Sequence, residues 1–283
     1  MRLATFLFHN TPALGLVHGE SVIPVPGLSM LDVITHGETA LPDLSRIARP
    51  PVPFDTSTLL APIPKPKRNI FCVGLNYIEH AREGARAAGR ELKLPSVPMF
   101  FTKATNAVNG PFNDIPFEAR VSAQIDWEVE LGVVIGRRGK NISAAEAMRY
   151  VFGYTIVNDV SARDLQTAHG QFFKGKSLDG ACPMGPWIVT ADEIPDPHAL
   201  PLRCRVNGVT KQDSNTNDMI FKIPALIESL SLGMTLEPGD VIATGTPEGV
   251  GFARKPPEFL QPGDVVECEV EGVGVIRNKV AGL

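Results

Sequence analysis

Long apolar runs are missing from this 283-residue chain, and none approaches the ~20 residues that a membrane-spanning helix needs. Near the N-terminus only Leu3 to Phe8 is apolar before His9 and Asn10, too short for the core of a signal peptide. Cysteine is sparse: Cys72, Cys182, Cys204 and Cys268 lie far apart with no C-x-x-C pair. That argues against a thiolate metal site and gives no disulfide framework. Positive charge is not in excess either. The formal net charge is -4, which leaves no electrostatic footprint for nucleic acid or acidic lipid. The chain also lacks a G-x-G-x-x-G fingerprint between a strand and a helix, which removes dinucleotide binding. A soluble cytoplasmic protein with neither a nucleic-acid nor a membrane partner is expected.

Glycine (26) and proline (25) are plentiful, while helical periodicity is confined to a few segments. Many short strands joined by tight turns follow from that, a mostly β fold with short helices. Residues 1–66 read as a small N-terminal β-rich domain and linker. Leu3 to Phe8, Ala13 to Val17 and Ser21 to Val25 are its strands, Met30 to Thr35 a short helix, and Pro50, Pro51, Pro53, Pro62, Pro64 and Pro66 its stiff exit. Residues 67–283 hold the chemistry. Near their end Pro238-Gly239-Asp240-Val241 recurs as Pro262-Gly263-Asp264-Val265, a pair of turns feeding strands at related corners of a rolled sheet or barrel.

The chain is organised around Ile125 to Ile135. Ile125, Trp127, Val129, Leu131, Val133 and Ile135 alternate with polar positions, so one face of a strand is apolar and the other carries Asp126, Glu128 and Glu130. Like charges on one face repel. Water could relieve that repulsion, or a divalent cation could reverse it, and an all-oxygen set suits Mg²⁺, Mn²⁺ or Ca²⁺ rather than zinc. Earlier, Phe71 to Gly74 reads as a buried strand. Asn76 and Glu79 follow as a capping box that opens a helix from Tyr77 to about Ala88. His80 and Glu83 sit three apart on it, either a catalytic pair or an ordinary surface ion pair. With the loop at 91–98 this helix could close over a site. Ser143 and Glu146 form a second capping box, opening a helix from about Ala144 to Val151. Thr244 to Gly251 is rich in glycine and hydroxyls, a plain turn or a cradle of N–H groups for an anionic oxygen.

Five motifs stand in order: Gly-x-Asn-Tyr-x-x-His from Gly74, Asp-x-Glu-x-Glu-Leu from Asp126, Asn-Asp-x-x-Ala-Arg-Asp-x-Gln from Asn158, Gly-Lys-Ser-x-Asp-x-x-x-Pro-x-Gly-Pro from Gly175, and Gly-Thr-Pro-x-Gly-Val-Gly from Gly245. Together they resemble the fumarylacetoacetate hydrolase superfamily in its bacterial two-domain form. The resemblance implies a mixed β-sandwich roll around one Mg²⁺ or Mn²⁺ ion, usually in a homodimer. By position it implies Glu128, Glu130 and Asp159 as metal ligands, with Asp126 outside the set. His80 and Glu83 match the lid dyad that activates water, and Lys176 supplies positive charge. Arg163, Gln166, Gly245 and Thr246 match groups that hold substrate. Asn76 stands where the eukaryotic fumarylacetoacetase has an aspartate. The implied function is metal-dependent cleavage of a C–C bond in a 2,4-dioxo acid of the acylpyruvate, fumarylpyruvate or fumarylacetoacetate type. Oxaloacetate decarboxylation, isomerisation of 2-hydroxyhepta-2,4-diene-1,7-dioate and keto–enol isomerisation share its enolate. A silent oxo-acid-binding protein is the alternative of another class.

Overall fold

The computed structural model describes residues 1–283 except Ala48 and Phe54. Its largest sheet runs, edge to edge, through Val52–Pro53, Ser21–Val25, Thr11–His18, Arg2–Phe8, Cys182–Thr190, Val151–Asn158, Val129–Ile135, Val241–Ala243, Ile70–Gly74 and Met99–Lys103. A second sheet is ordered Val209–Asn215, Pro201–Val206, Val265–Val270, Gly274–Gly282 and Ile115–Phe117. Helices are short, the longest of those assigned being Ile78–Ala87, and no helix among the described residues is long and apolar enough to cross a membrane. The mostly β architecture with short helices is the one expected from the turn-rich sequence.

Both faces of the Val129–Ile135 strand are covered. Val129, Leu131, Val133 and Ile135 point into the core shared with Leu202, Cys204, Val266 and Cys268 of the second sheet. On the other face Val134 packs with Cys72, Val157, Val33 and Ile34. Fully burying four such side chains contributes roughly 6–12 kcal/mol at ~1.5–3 kcal/mol each. Holding a buried carboxylate costs several kcal/mol. The apolar face therefore wins, and Glu130 stays inside.

The strand does not run unbroken from Ile125 to Ile135 as its alternation suggests. It splits into Ile125–Asp126, paired with Ser161–Ala162, and Val129–Ile135, paired with Val151–Asn158. Side chains account for the break, because they take the N–H groups a neighbouring strand would use. Trp127 N donates to Asp126 Oδ1 (2.8 Å), Glu128 N to Asn158 Oδ1 (3.1 Å) and Val129 N to Gln212 Oε1 (3.0 Å). Glu128 thus leaves the ladder and is free to turn.

Residues 1–66, expected as a small unit of their own, supply strands that continue the large sheet, since Arg2–Phe8 pairs with Cys182–Thr190. The helix at Met30–Thr35 forms as expected, capped by Ser29. The helix expected from Ala144 does not. Ala144 N donates to Glu228 Oε1 (2.9 Å), and only Ala147–Tyr150 winds, as a 3₁₀ turn. The repeated Pro-Gly-Asp turns are alike in detail. Gly239 and Gly263 have φ of +90° and +98°, and each aspartate accepts the N–H three residues back, Glu237 N at 2.7 Å and Gln261 N at 2.8 Å. One feeds the large sheet and the other the second sheet, so they are equivalent corners of the roll.

Candidate metal centre and active site

Glu128 projects from the strand break, Glu130 from the strand after it, and Asp159 from just past the end of Val151–Asn158. Asp159 N donates to Glu128 O (2.9 Å), which fixes the two loops to each other. One carboxylate oxygen from each of the three lies within 4.8 Å of the others, and all three residues are buried. Three buried cations answer them. Lys176 Nζ reaches Glu128 Oε2 and Asp159 Oδ2, both at 2.8 Å. Lys103 Nζ reaches Asp159 Oδ1 at 2.6 Å, and Arg163 Nη2 reaches Glu128 Oε1 at 2.6 Å.

The electrostatics are uneven. Burial pushes the Glu128 carboxyl up, but Lys176 and Arg163 outweigh it and hold it at about 2. Burial, then Asp159 and Glu128, push the Glu130 carboxyl well above the ordinary range. Its one hydrogen bond comes from Gly245 N (2.7 Å), and among the described residues no cationic side chain pairs with it. Glu130 is where positive charge is missing. A hard divalent cation bound by Glu128, Glu130 and Asp159 would supply that charge, and an all-carboxylate donor set fits Mg²⁺ or Mn²⁺.

Asp126 is no part of this set. Its Oδ1 accepts Trp127 N and Gly251 N (2.8 and 2.7 Å), and its Oδ2 accepts Arg163 Nε and Phe252 N (2.9 and 3.0 Å). Arg163 Nη1 also donates to Gln166 Oε1 (3.1 Å), so Arg163 and Gln166 stand together beside Glu128. Two of the five guanidinium N–H groups are left over.

His80 lies on Ile78–Ala87, its Nδ1 2.9 Å from Glu83 Oε1. A carboxylate partner places the proton on Nδ1 and leaves Nε2 as the acceptor. The pair is not at the surface: the two side chains are 10% and 19% exposed. Glu83 Oε2 in turn accepts Gly249 N (2.9 Å). The loop that holds Glu83 through Gly249 N also reaches Glu130 through Gly245 N (2.7 Å), so the pair and the triad share one support.

The glycine-rich loop turns its N–H groups onto the protein's own carboxylates. Gly245 serves Glu130, Gly249 serves Glu83, and Gly251 with Phe252 serves Asp126. At Gly249 (φ +101°) a Cβ would fall 2.0 Å from Lys211 O, so only glycine fits. The Thr246 hydroxyl donates to Val129 O (2.9 Å) and accepts Gln212 Nε2 (2.7 Å). Through these bonds Gly245 and Thr246 frame the centre.

Asn76 also differs from expectation. Tyr77, not Asn76, is the N-cap, and Glu79 closes no capping box. Asn76 instead is fully buried, donating to Thr244 O (2.8 Å) and Phe221 O (3.1 Å) and accepting Phe221 N (2.8 Å). Lys103 escaped sequence reasoning altogether. A lysine closing Phe100-Phe101-Thr102 reads as a solvated strand end, and only strand pairing carries it to Asp159.

Comparison with known proteins decides the family. A profile of the fumarylacetoacetate (FAA) hydrolase C-terminal region matches residues 69–281. The chain belongs to the fumarylacetoacetate hydrolase family. Within it, a mitochondrial oxaloacetate tautomerase of Rattus norvegicus is 45% identical over 270 residues, 94% of this chain and 84% of that protein. An oxaloacetate tautomerase of Bacillus subtilis is 50% identical over 222 residues, 78% of this chain and 72% of that one. Among solved structures, a maleylpyruvate hydrolase from Sphingobium sp. SYK-6 in complex with manganese(II) and pyruvate superposes with a TM-score of 0.82 at 29% identity, covering 100% of this chain and 99% of that one. The chain thus belongs to an enzyme family whose members include tautomerases and hydrolases, and its buried acidic triad is consistent with a divalent-metal site.

Proposed function

We propose that the protein interconverts the keto and enol forms of oxaloacetate with Mg²⁺ or Mn²⁺ at Glu128, Glu130 and Asp159. The observation that carries this reading is the His80–Glu83 pair, a buried proton acceptor 2.9 Å from the carboxylate that orients it, held by the same loop that reaches the triad. The oxaloacetate tautomerases that are 45% and 50% identical support the choice of substrate. When bound, the metal supplies Lewis acidity at the 2-oxo group. His80 Nε2 takes a proton from C3, and Glu83 steadies the imidazolium that forms. Lys176, buried and cationic, offsets negative charge developing on the 2-oxygen. Arg163 offers its two remaining N–H groups to the distal carboxylate.

Hydrolysis of an acylpyruvate-type 2,4-dioxo acid is the second reading. The same His80 can take its proton from water, and the likeness to a maleylpyruvate hydrolase supports it. A silent binding protein has no use for a buried base. The test follows the ultraviolet absorbance of enol oxaloacetate, acetylpyruvate and fumarylpyruvate with Mn²⁺-loaded protein. Enol decay faster than the buffer rate, with acylpyruvates left intact, is expected. Consumption of acylpyruvates with no effect on oxaloacetate sinks the tautomerase reading. A homodimer, implied by the resemblance, belongs to the same proposal, and light scattering checks it.

A further inference from the structure

Phe252 is the middle residue of the 3₁₀ turn Gly251–Ala253, and its backbone is pinned at the edge of the site by the bond from its N–H to Asp126 Oδ2 (3.0 Å). Its ring covers one face of Arg163, with Cζ 4.5 Å from the ring centroid. The His80 helix approaches the tip of the same ring, where a Cβ at Gly84 would lie 3.9 Å from Phe252 Cζ. The ring is thus in contact with the Arg163 guanidinium and borders the helix that carries His80. No functional role so far attaches to this side chain.

Reach decides what fits. Arg163 Nη2 is 2.6 Å from Glu128 Oε1, so the arginine and the metal triad are separated by a single carboxylate. With ~1.5 Å bonds, the terminal carbons of an extended four-carbon diacid are on the order of 4 Å apart, and those of a six-carbon diacid on the order of 6 Å. The shorter molecule spans triad and arginine. The longer one must push its tail into the Phe252 ring or give up one anchor.

The geometry points to Phe252 as the residue that limits substrate length, selecting four-carbon 2-oxo diacids over longer ones. This rests on the reading of the site as one for a 2-oxo diacid. It does not require that the reaction be tautomerisation. Against a closed wall, one surplus methylene costs ~10–200-fold in selectivity.

Binding tests this without turnover. Affinities of the Mn²⁺-loaded protein for 3,3-difluorooxaloacetate, which cannot enolise, and for 2-oxoadipate are measured by calorimetry. The wild type is expected to prefer the four-carbon ligand by at least ~10-fold. Phe252→Ala is expected to narrow that ratio by about as much, with Phe252→Leu in between. Phe252→Leu keeps an apolar side chain on the turn and carries the test if the alanine variant does not fold. No length preference in the wild type, or the same ratio in wild type and variants, overturns the proposal. A ratio that narrows in a protein with no effect on oxaloacetate enol decay upholds the length limit and rejects the tautomerase reading instead.

Discussion

Replacing Glu130 and Glu128 by glutamine should move stability in opposite directions in metal-free protein, although both are metal-ligand candidates. Glu128 accepts Arg163 Nη2 at 2.6 Å and Lys176 Nζ at 2.8 Å, so Glu128→Gln strands two buried cations. Breaking a buried pair costs about 3–5 kcal/mol. The lower end applies, because Arg163 keeps Asp126 and Lys176 keeps Asp159. At ~2–4 °C per kcal/mol this is a fall of roughly 6–12 °C in Tm. Glu130 has no cation to strand, and a glutamine carbonyl can still accept Gly245 N. Glu130→Gln removes the repulsion from Asp159 and Glu128, and a Tm unchanged or raised by a few degrees is expected. The pH dependence has a definite sign. The Glu128 carboxyl is lowered from 4.5 to about 2, so its contribution is full above pH 4.5 and is lost as pH falls through 2. The Glu130 carboxyl is raised, so its cost appears as pH rises above its ordinary value, and the advantage of Glu130→Gln grows in that direction. Thermal unfolding in EDTA from pH 2 to 8 measures both. If Glu130→Gln loses as much stability as Glu128→Gln, the uneven charge balance assigned to the centre is wrong.

Adding Mg²⁺ or Mn²⁺ at ~1,000 times Kd should raise wild-type stability by about 4 kcal/mol and leave Glu130→Gln unmoved; equal shifts in both place the ion elsewhere. His80→Ala should lower oxaloacetate tautomerisation ~10²–10⁴-fold with metal affinity intact, and a rate within twofold of wild type refutes the base assignment. Lys103→Met should destabilise the protein by ~3 kcal/mol, the lower end for a broken buried pair because Asp159 keeps Lys176, and denaturant unfolding giving under ~1 kcal/mol would mean the pair is dispensable. Asn76→Ala, losing its bonds to Thr244 and Phe221, should cost ~2–4 kcal/mol at roughly 1 kcal/mol or more per buried bond, with chemical denaturation as the measure.

What could be read from the sequence divides along a physical line. Alternation in Ile125–Ile135 is a local signal, so the apolar face and the acidic residues opposite it were legible there, whereas burial of those carboxylates depends on what covers the strand. The strand break at Trp127 was not, because its cause lies in Asn158 and Gln212, distant side chains that replace ladder hydrogen bonds. The spacing of Asn76 and Glu79 matched a capping box, yet burial of Asn76 against Phe221 and Thr244 offers it more bonds than a cap would. Ser143 and Glu146 failed for a similar reason, since Glu228 from another helix captures Ala144 N. In each case a tertiary partner outbid a local one.

The glycine-rich loop ties the acidic triad and the His80–Glu83 pair to one element. Its N–H groups hold Glu130 of the triad, Glu83 of the dyad and Asp126, which in turn holds Arg163. Each bond is a neutral donor on a carboxylate, so the loop fixes position without neutralising charge. Neutralisation falls to Lys103, Lys176 and Arg163, which between them reach Asp159, Glu128 and Asp126 but not Glu130. Four buried carboxyls against three cations leave one without a cation, and it is Glu130, which accepts only from the loop. A fourth cation at Glu130 would complete the balance and leave a divalent ion little reason to bind. The deficit at that one residue is what reserves the site for a metal.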